Sequence, residues 1–121
     1  MGAFEDLEVY QKSYKAALAV YELTKVYPEN EKYGMIDQMR RSAVSIPLNI
    51  AEGYGKKSSK AEFVRFLLMA IGSSNEISVL ISLSKDIGYI EEKTYQKAKA
   101  TYQEIGKMLT GLIKSQTKTN T

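Results

Sequence analysis

The stretch MIDQMRRSAVSIPLNIAEGYG, residues 35–55, decides the fold because it keeps a helical phase across a proline. Ile36, Met39, Ala43, Ile46 and Ile50 follow one another in steps of three and four, which puts them on one stripe of an α-helix. Pro47 sits between them and removes the amide that would bond the Ala43 carbonyl, at a cost of about 3 kcal/mol in an ordinary helix interior. Since the stripe does not change phase at Pro47, the reading is one proline-kinked helix rather than two short ones, closed by Gly53 and Gly55.

Three further helices flank it. Upstream, Leu7, Tyr10, Tyr14, Ala17 and Tyr21, with Leu18 alongside, predict an inward stripe on a helix from about Asp6 to Tyr27, stopped by Pro28. Downstream, Ser59 and Glu62 form a capping box ahead of an apolar run. The helix that follows runs from Lys60 to a glycine stop at Gly88, with Phe63, Phe66, Leu67, Ala70, Ser74, Ile77, Ile81 and Ser84 facing inward. Tyr95, Ala98, Tyr102, Ile105, Leu109 and Leu112 mark the last helix, Glu92 to about Lys114, with acids at its start and Lys114 at its end, as the helix dipole favours. Four amphipathic helices joined by short turns predict an all-α, antiparallel up-down-up-down four-helix bundle. Residues 1–114 form the single domain expected, and the polar residues 115–121 form a frayed, disordered tail.

Composition narrows the chemistry. The 121 residues contain neither His nor Cys. That excludes disulfides, thiolate nucleophiles, Ser-His-Asp arrangements and the usual structural zinc ligands. The Glu-x-x-His motif of di-iron bundles cannot be written either, so no metal and no cofactor is expected. GYGKKSS (residues 53–59) departs from a phosphate-binding loop, since Ile50 stands where the first glycine belongs and Lys57 where Ser or Thr should follow. The third helix is diluted by Ser73, Ser74, Asn75, Ser78 and Ser82, short of the about 20 predominantly apolar residues a bilayer helix needs, so no membrane partner is expected. The N-terminus, MGAFEDLEVY, has acids where a secretory signal has bases, which predicts a cytoplasmic address.

The net charge is +3, but residues 1–37 hold seven acids and four bases whereas residues 38–121 hold seven acids and thirteen bases. Arg40, Arg41, Lys56, Lys57, Lys60 and Arg65 concentrate around the second turn, with Tyr54 among them, and are the candidates for RNA or DNA contact. A second set points to self-association. Val64, Leu68, Asn75 and Val79 form another line on the third helix, so a bundle that buried one face of each helix would leave apolar side chains in water. On the second helix Arg41, Ser45, Leu48 and Glu52 share an outward line, with Asn49 on its flank. Together with Asn75 and Glu76 they are candidates for a subunit interface, in which Arg41, Asn49, Glu52, Asn75 and Glu76 would form a partly buried polar network. No nucleophile accompanies them, and no catalytic residue is assigned.

The segment DQMRRSAVSIPLNIAEGYG (residues 37–55) closely resembles the signature of the 23S rRNA-intervening-sequence protein family, also called the four helix bundle protein family. FEDLEVYQKSYK (4–15), KAEFVRFLLMAIGSSNEI (60–77) and DIGYI (86–90) are similar to the same family, so the resemblance reaches to about Tyr102. On it the family pattern falls on Arg40, Arg41, Ser45, Pro47, Asn49, Glu52, Gly53, Asn75 and Glu76. The resemblance implies a ring-like homopentamer with no enzyme activity assigned. A related branch serves diversity-generating retroelements, where a basic pentameric barrel binds the reverse transcriptase and nucleic acid. The expectation is therefore a non-enzymatic, self-assembling binding or scaffolding module, the alternative being an RNA- or DNA-binding accessory protein.

Overall fold

The structure is a computed structural model that describes residues 3–117. Four helices carry it: α1 (Glu8–Thr24), α2 (Met35–Tyr54), α3 (Lys60–Ile87) and α4 (Glu92–Thr117). Single 3-10 turns stand before α1 at Phe4–Asp6 and before α2 at Glu29–Glu31, and the described residues contain no strand. They form a four-helix bundle in which α1 packs on α2, α2 on α3 and α3 on α4, while α4 meets α1 least of all.

α1 is rotated from its expected orientation. Its buried residues are Val9, Ser13, Ala16, Ala17, Val20 and Thr24, whereas Tyr14, Leu18 and Tyr21 are exposed. Of the expected stripe only Ala17 is buried. The physical reason is size: small side chains on the true inward face let α1 approach α2, and the tyrosines are displaced to the flank, where their hydroxyls stay wet. The helix also stops at Thr24, short of Tyr27. Thr24 Oγ1 donates to the Val20 carbonyl at 2.8 Å, the chain tightens through Tyr27 N–H to Thr24 O at 3.1 Å, and Tyr27 turns inward with its ring 5.0 Å from that of Tyr89.

α2 runs through Pro47 as one helix, with Met39, Ala43, Ile46, Pro47 and Ile50 buried. Gly53, expected to end it, lies inside it and is buried. A Cβ at Gly53 would come 2.7 Å from Phe66 Cβ and 3.1 Å from Phe63 Cδ1, so the missing side chain is what lets α2 touch α3. Farther along, Ser45 Oγ meets Ser73 Oγ at 2.7 Å and Ser84 Oγ donates to Met39 Sδ at 3.5 Å. The partners thus ascend on α3 as they descend on α2.

α3, 28 residues and about 42 Å long, begins and ends as its sequence dictates. Ser59 Oγ accepts from the Glu62 amide at 3.2 Å, and Gly88 closes the helix in the left-handed region at φ 99°. Its buried side is the expected stripe with Leu80 added. By length and composition α3 could cross a membrane, but here its apolar stripe is packed between α2 and α4. α4 buries Tyr102, Ile105 and Leu109 and extends to Thr117, three residues into the stretch expected to fray. Residues 118–121 lie outside the described residues.

Candidate functional site: the outer face of α1, α2 and α3

Because α3 touches only α2 and α4 among the helices, part of its circumference has no partner within the chain. Leu68, Met69, Val79 and Leu83 are exposed there, Leu68 by 55% and Val79 by 59%, while Val64 is half-buried. Leu48 on α2 is 62% exposed. It belongs to a groove of about 210 Å³ between α1 and α2 that also takes in Tyr14, Leu18, Tyr21, Val44 and Pro47. The displaced tyrosines of α1 therefore add to the apolar surface proposed from α2 and α3. Sequence reasoning missed them because it had assigned Tyr14 and Tyr21 to the core.

The polar candidates separate into two groups. Ser45 reaches α3, where its Oγ joins Ser73 Oγ at 2.7 Å, and Asn49 braces it from within α2, Nδ2 donating to the Ser45 carbonyl at 2.8 Å and to Ser45 Oγ at 3.0 Å. Ser73 was not singled out in the sequence, although its position one turn before Ile77 marks it as a neighbour of α2. Arg41, Glu52, Asn75 and Glu76 are exposed instead, and Glu52 reaches only Lys56, at 4.0 Å. Within one chain the five-residue network of Arg41, Asn49, Glu52, Asn75 and Glu76 does not assemble.

The basic candidates are largely engaged by their own neighbours. Arg40 clasps the end of α1: Nε donates to Thr24 Oγ1 at 2.9 Å, an Nη donates to the Tyr21 carbonyl at 3.3 Å, and the guanidinium lies 4.5 Å from the Tyr21 ring centre. Arg65 forms a two-pronged pair with Glu62 at 3.0 and 3.3 Å and lies over Phe66. The hydrogen bond from Arg65 holds the Glu62 carboxyl below its ordinary range and raises Arg65 itself. Lys57 Nζ donates to Tyr54 Oη at 2.9 Å, and Lys56 lies 5.7 Å from the Phe66 ring centre. Arg41 and Lys60 are exposed, with no ion pair among the described residues. No group of three or more acidic, His or Cys side chains is placed to hold a metal among the described residues.

An all-helical bundle with an apolar outer face and a serine–serine bond between α2 and α3 defines the class of protein. The chain belongs to the 23S rRNA-intervening sequence protein family, whose sequence model matches residues 5–111. It is similar to the crystal structure, at 1.70 Å resolution, of a protein of unknown function from the S23 ribosomal protein family of Bacteroides thetaiotaomicron. The TM-score is 0.77 and the identity 29%, over 88% of this chain and 98% of that one. No curated protein matches the chain.

Proposed function

We propose that the chain is a non-enzymatic, self-assembling binding or scaffolding module, a homopentamer as the family resemblance implies. The observation that carries this reading is the exposed apolar surface itself: Leu68, Met69, Val79 and Leu83 on α3, and Leu48 with Tyr14, Leu18 and Tyr21 on the α1–α2 side. Contiguous apolar surface of this kind marks a contact with another molecule, and Tyr is among the residues favoured in such contacts. The ridge on α3 and the groove between α1 and α2 are different patches of one subunit. Head-to-tail pairing of two different patches generates a ring when the rotation closes, whereas a two-fold dimer pairs a patch with itself. In the assembly, Arg41, Glu52, Asn75 and Glu76, which lack one another within the chain, would find their partners across the subunit boundary.

The test is Leu68→Asp. Leu68 contributes little to the core of its own chain, so the variant is expected to keep its helical circular dichroism while the assembly falls to the 13.6 kDa chain. An assembly of unchanged mass would remove the α3 ridge from the interface. The RNA- or DNA-binding alternative has less support, because Arg40, Arg65 and Lys57 are occupied by Thr24, Glu62 and Tyr54, respectively.

A further inference from the structure

The outer lines of α2 and α3 carry matching patterns of charge. On α2, Arg41, Ser45, Leu48 and Glu52 follow one another in steps of four, three and four, and a shallow furrow of about 650 Å³ runs along them. On α3, the exposed residues Arg65, Met69, Gly72 and Glu76 make the same steps. Each line therefore opens with an arginine and closes with a glutamate about 16 Å farther on. Laid antiparallel, the two lines set Arg41 against Glu76, Leu48 against Met69 and Glu52 against Arg65. Laid parallel, they would set like charge against like charge at both ends. Gly72 falls opposite Ser45 in the antiparallel arrangement. A Cβ at Gly72 would meet nothing within 4 Å, so, unlike Gly53, this glycine serves no contact inside the chain, although glycine weakens a helix interior relative to alanine.

The bundle already holds these residues at matching heights. Ser45 touches Ser73 and Gly53 lies on Phe63 and Phe66. Along the antiparallel pair α2–α3, Arg41 is therefore level with Glu76, and Glu52 with Arg65, to within one or two residues, about 1.5–3 Å. Rotation about an axis parallel to the helices carries a copy sideways and leaves every residue at its height. Arg41 and Glu76 have no ion pair among the described residues, while Glu52 and Arg65 hold only exposed partners on their own helices, Lys56 and Glu62. Exposed pairs of that kind contribute little and are readily exchanged.

We infer that the outer line of α2 docks antiparallel on the outer line of α3 of a second copy, with Arg41–Glu76 and Arg65–Glu52 as ion pairs at its two ends and Leu48 on Met69 between them. This docking rests on the self-assembly proposed above and fixes its register. The contact is head to tail, since each copy offers its α2 line to one neighbour and its α3 line to the other.

The chain contains no Cys, so introduced thiols are the only ones it carries. Leu48→Cys and Met69→Cys are made as separate chains, co-expressed, purified together and oxidised. A disulfide-linked dimer of twice the 13.6 kDa chain is expected from the mixture and only traces from either variant alone. Leu48→Cys with Val79→Cys, about 15 Å farther along α3, should link at less than about a tenth of that yield. In light scattering, Arg41→Glu and Glu76→Arg should each make the assembly dissociate at a concentration at least about tenfold higher than for the unmutated protein, and the double variant should recover to within about threefold. Strong linkage in one variant alone would overturn the head-to-tail contact. Preferred linkage to position 79, no linkage in a protein that scatters as an assembly, or a double variant no better than the single ones would overturn the register and leave self-assembly standing. The mass of one chain at every concentration would overturn both.

Discussion

The α2–α3 edge and the α1–α4 edge enclose the same core but are built on opposite terms. At the first, a glycine brings two long helices into contact at Phe63 and Phe66, serines bond across the middle, and Met39 meets Ser84 beyond it. At the second, alanines and threonines face one another across a crevice, and the two helices touch least of any neighbouring pair. Small residues thus have opposite outcomes. Where one helix carries the small residue and the other a large apolar one, as with Gly53 and Phe66, the gap closes. Where both helices carry small residues, it stays open, because interiors are close-packed only when volumes complement one another.

Matched leucine truncations probe the contrast most strongly. Leu80 lies on the side of α3 that carries Ser73 and Ser84 to α2, and it is buried. Leu80→Ala should cost about 2–5 kcal/mol in urea unfolding, because a dense edge cannot collapse around the void. Leu23, half-buried beside the crevice, should cost about 1 kcal/mol on the same change, since part of its surface is already wet. Equal losses would mean that the two edges do not differ in packing.

Gly53→Ala sharpens the account of the tight edge. The added methyl meets the Phe66 Cβ at a distance no relaxed contact shows, and overpacking of this kind costs about 1–3 kcal/mol. An unchanged or higher melting temperature would show that the close approach of α2 to α3 is not what the glycine provides.

The smallest effect lies at the end of the bundle where α1 hands over to α2. Glu31 accepts from the Tyr89 hydroxyl at 2.6 Å and from the Met35 amide at 3.0 Å, and these bonds, Tyr89 first, hold its carboxyl below the ordinary range. A depressed carboxyl lends stability above its unfolded pKa, about 4.3, and loses it as pH falls through the lower folded value. Glu31→Gln should therefore flatten part of the fall in melting temperature below about pH 4, while Glu62 and Glu92, also held low, keep the remainder. An unaltered acid limb would place the stabilising contact elsewhere.

The regularity of α2, α3 and α4 was legible because the large apolar residues of their inward stripes recur in steps of three and four: Ile46, Ile50, Leu67, Ile77, Ile105 and Leu109 are all buried. α1 was misread because tyrosine satisfies an apolar pattern while tolerating water at its hydroxyl, so the stripe of Tyr10, Tyr14 and Tyr21 outweighed that of Val9, Ser13, Ala16 and Val20. The exposed apolar line on α3 could be read from helical phase alone. The engagement of Arg40 could not, because Arg40 pairs with Thr24 and Tyr21 of another helix, whereas the pairing of Arg65 with Glu62, three residues before it on the same helix, is a spacing that the sequence displays. Helical phase puts Ser73 one turn before Ile77 on the α2 side, but not opposite Ser45 in particular, where the structure places it.

Self-assembly through the outer face is the central claim, and the mass of the unmutated protein in solution tests it most directly. Light scattering across a dilution series should give a constant mass near 68 kDa, five times the 13.6 kDa chain, and Leu68→Asp should reduce it to that of one chain. A mass of 13.6 kDa for the unmutated protein at every concentration would contradict the account.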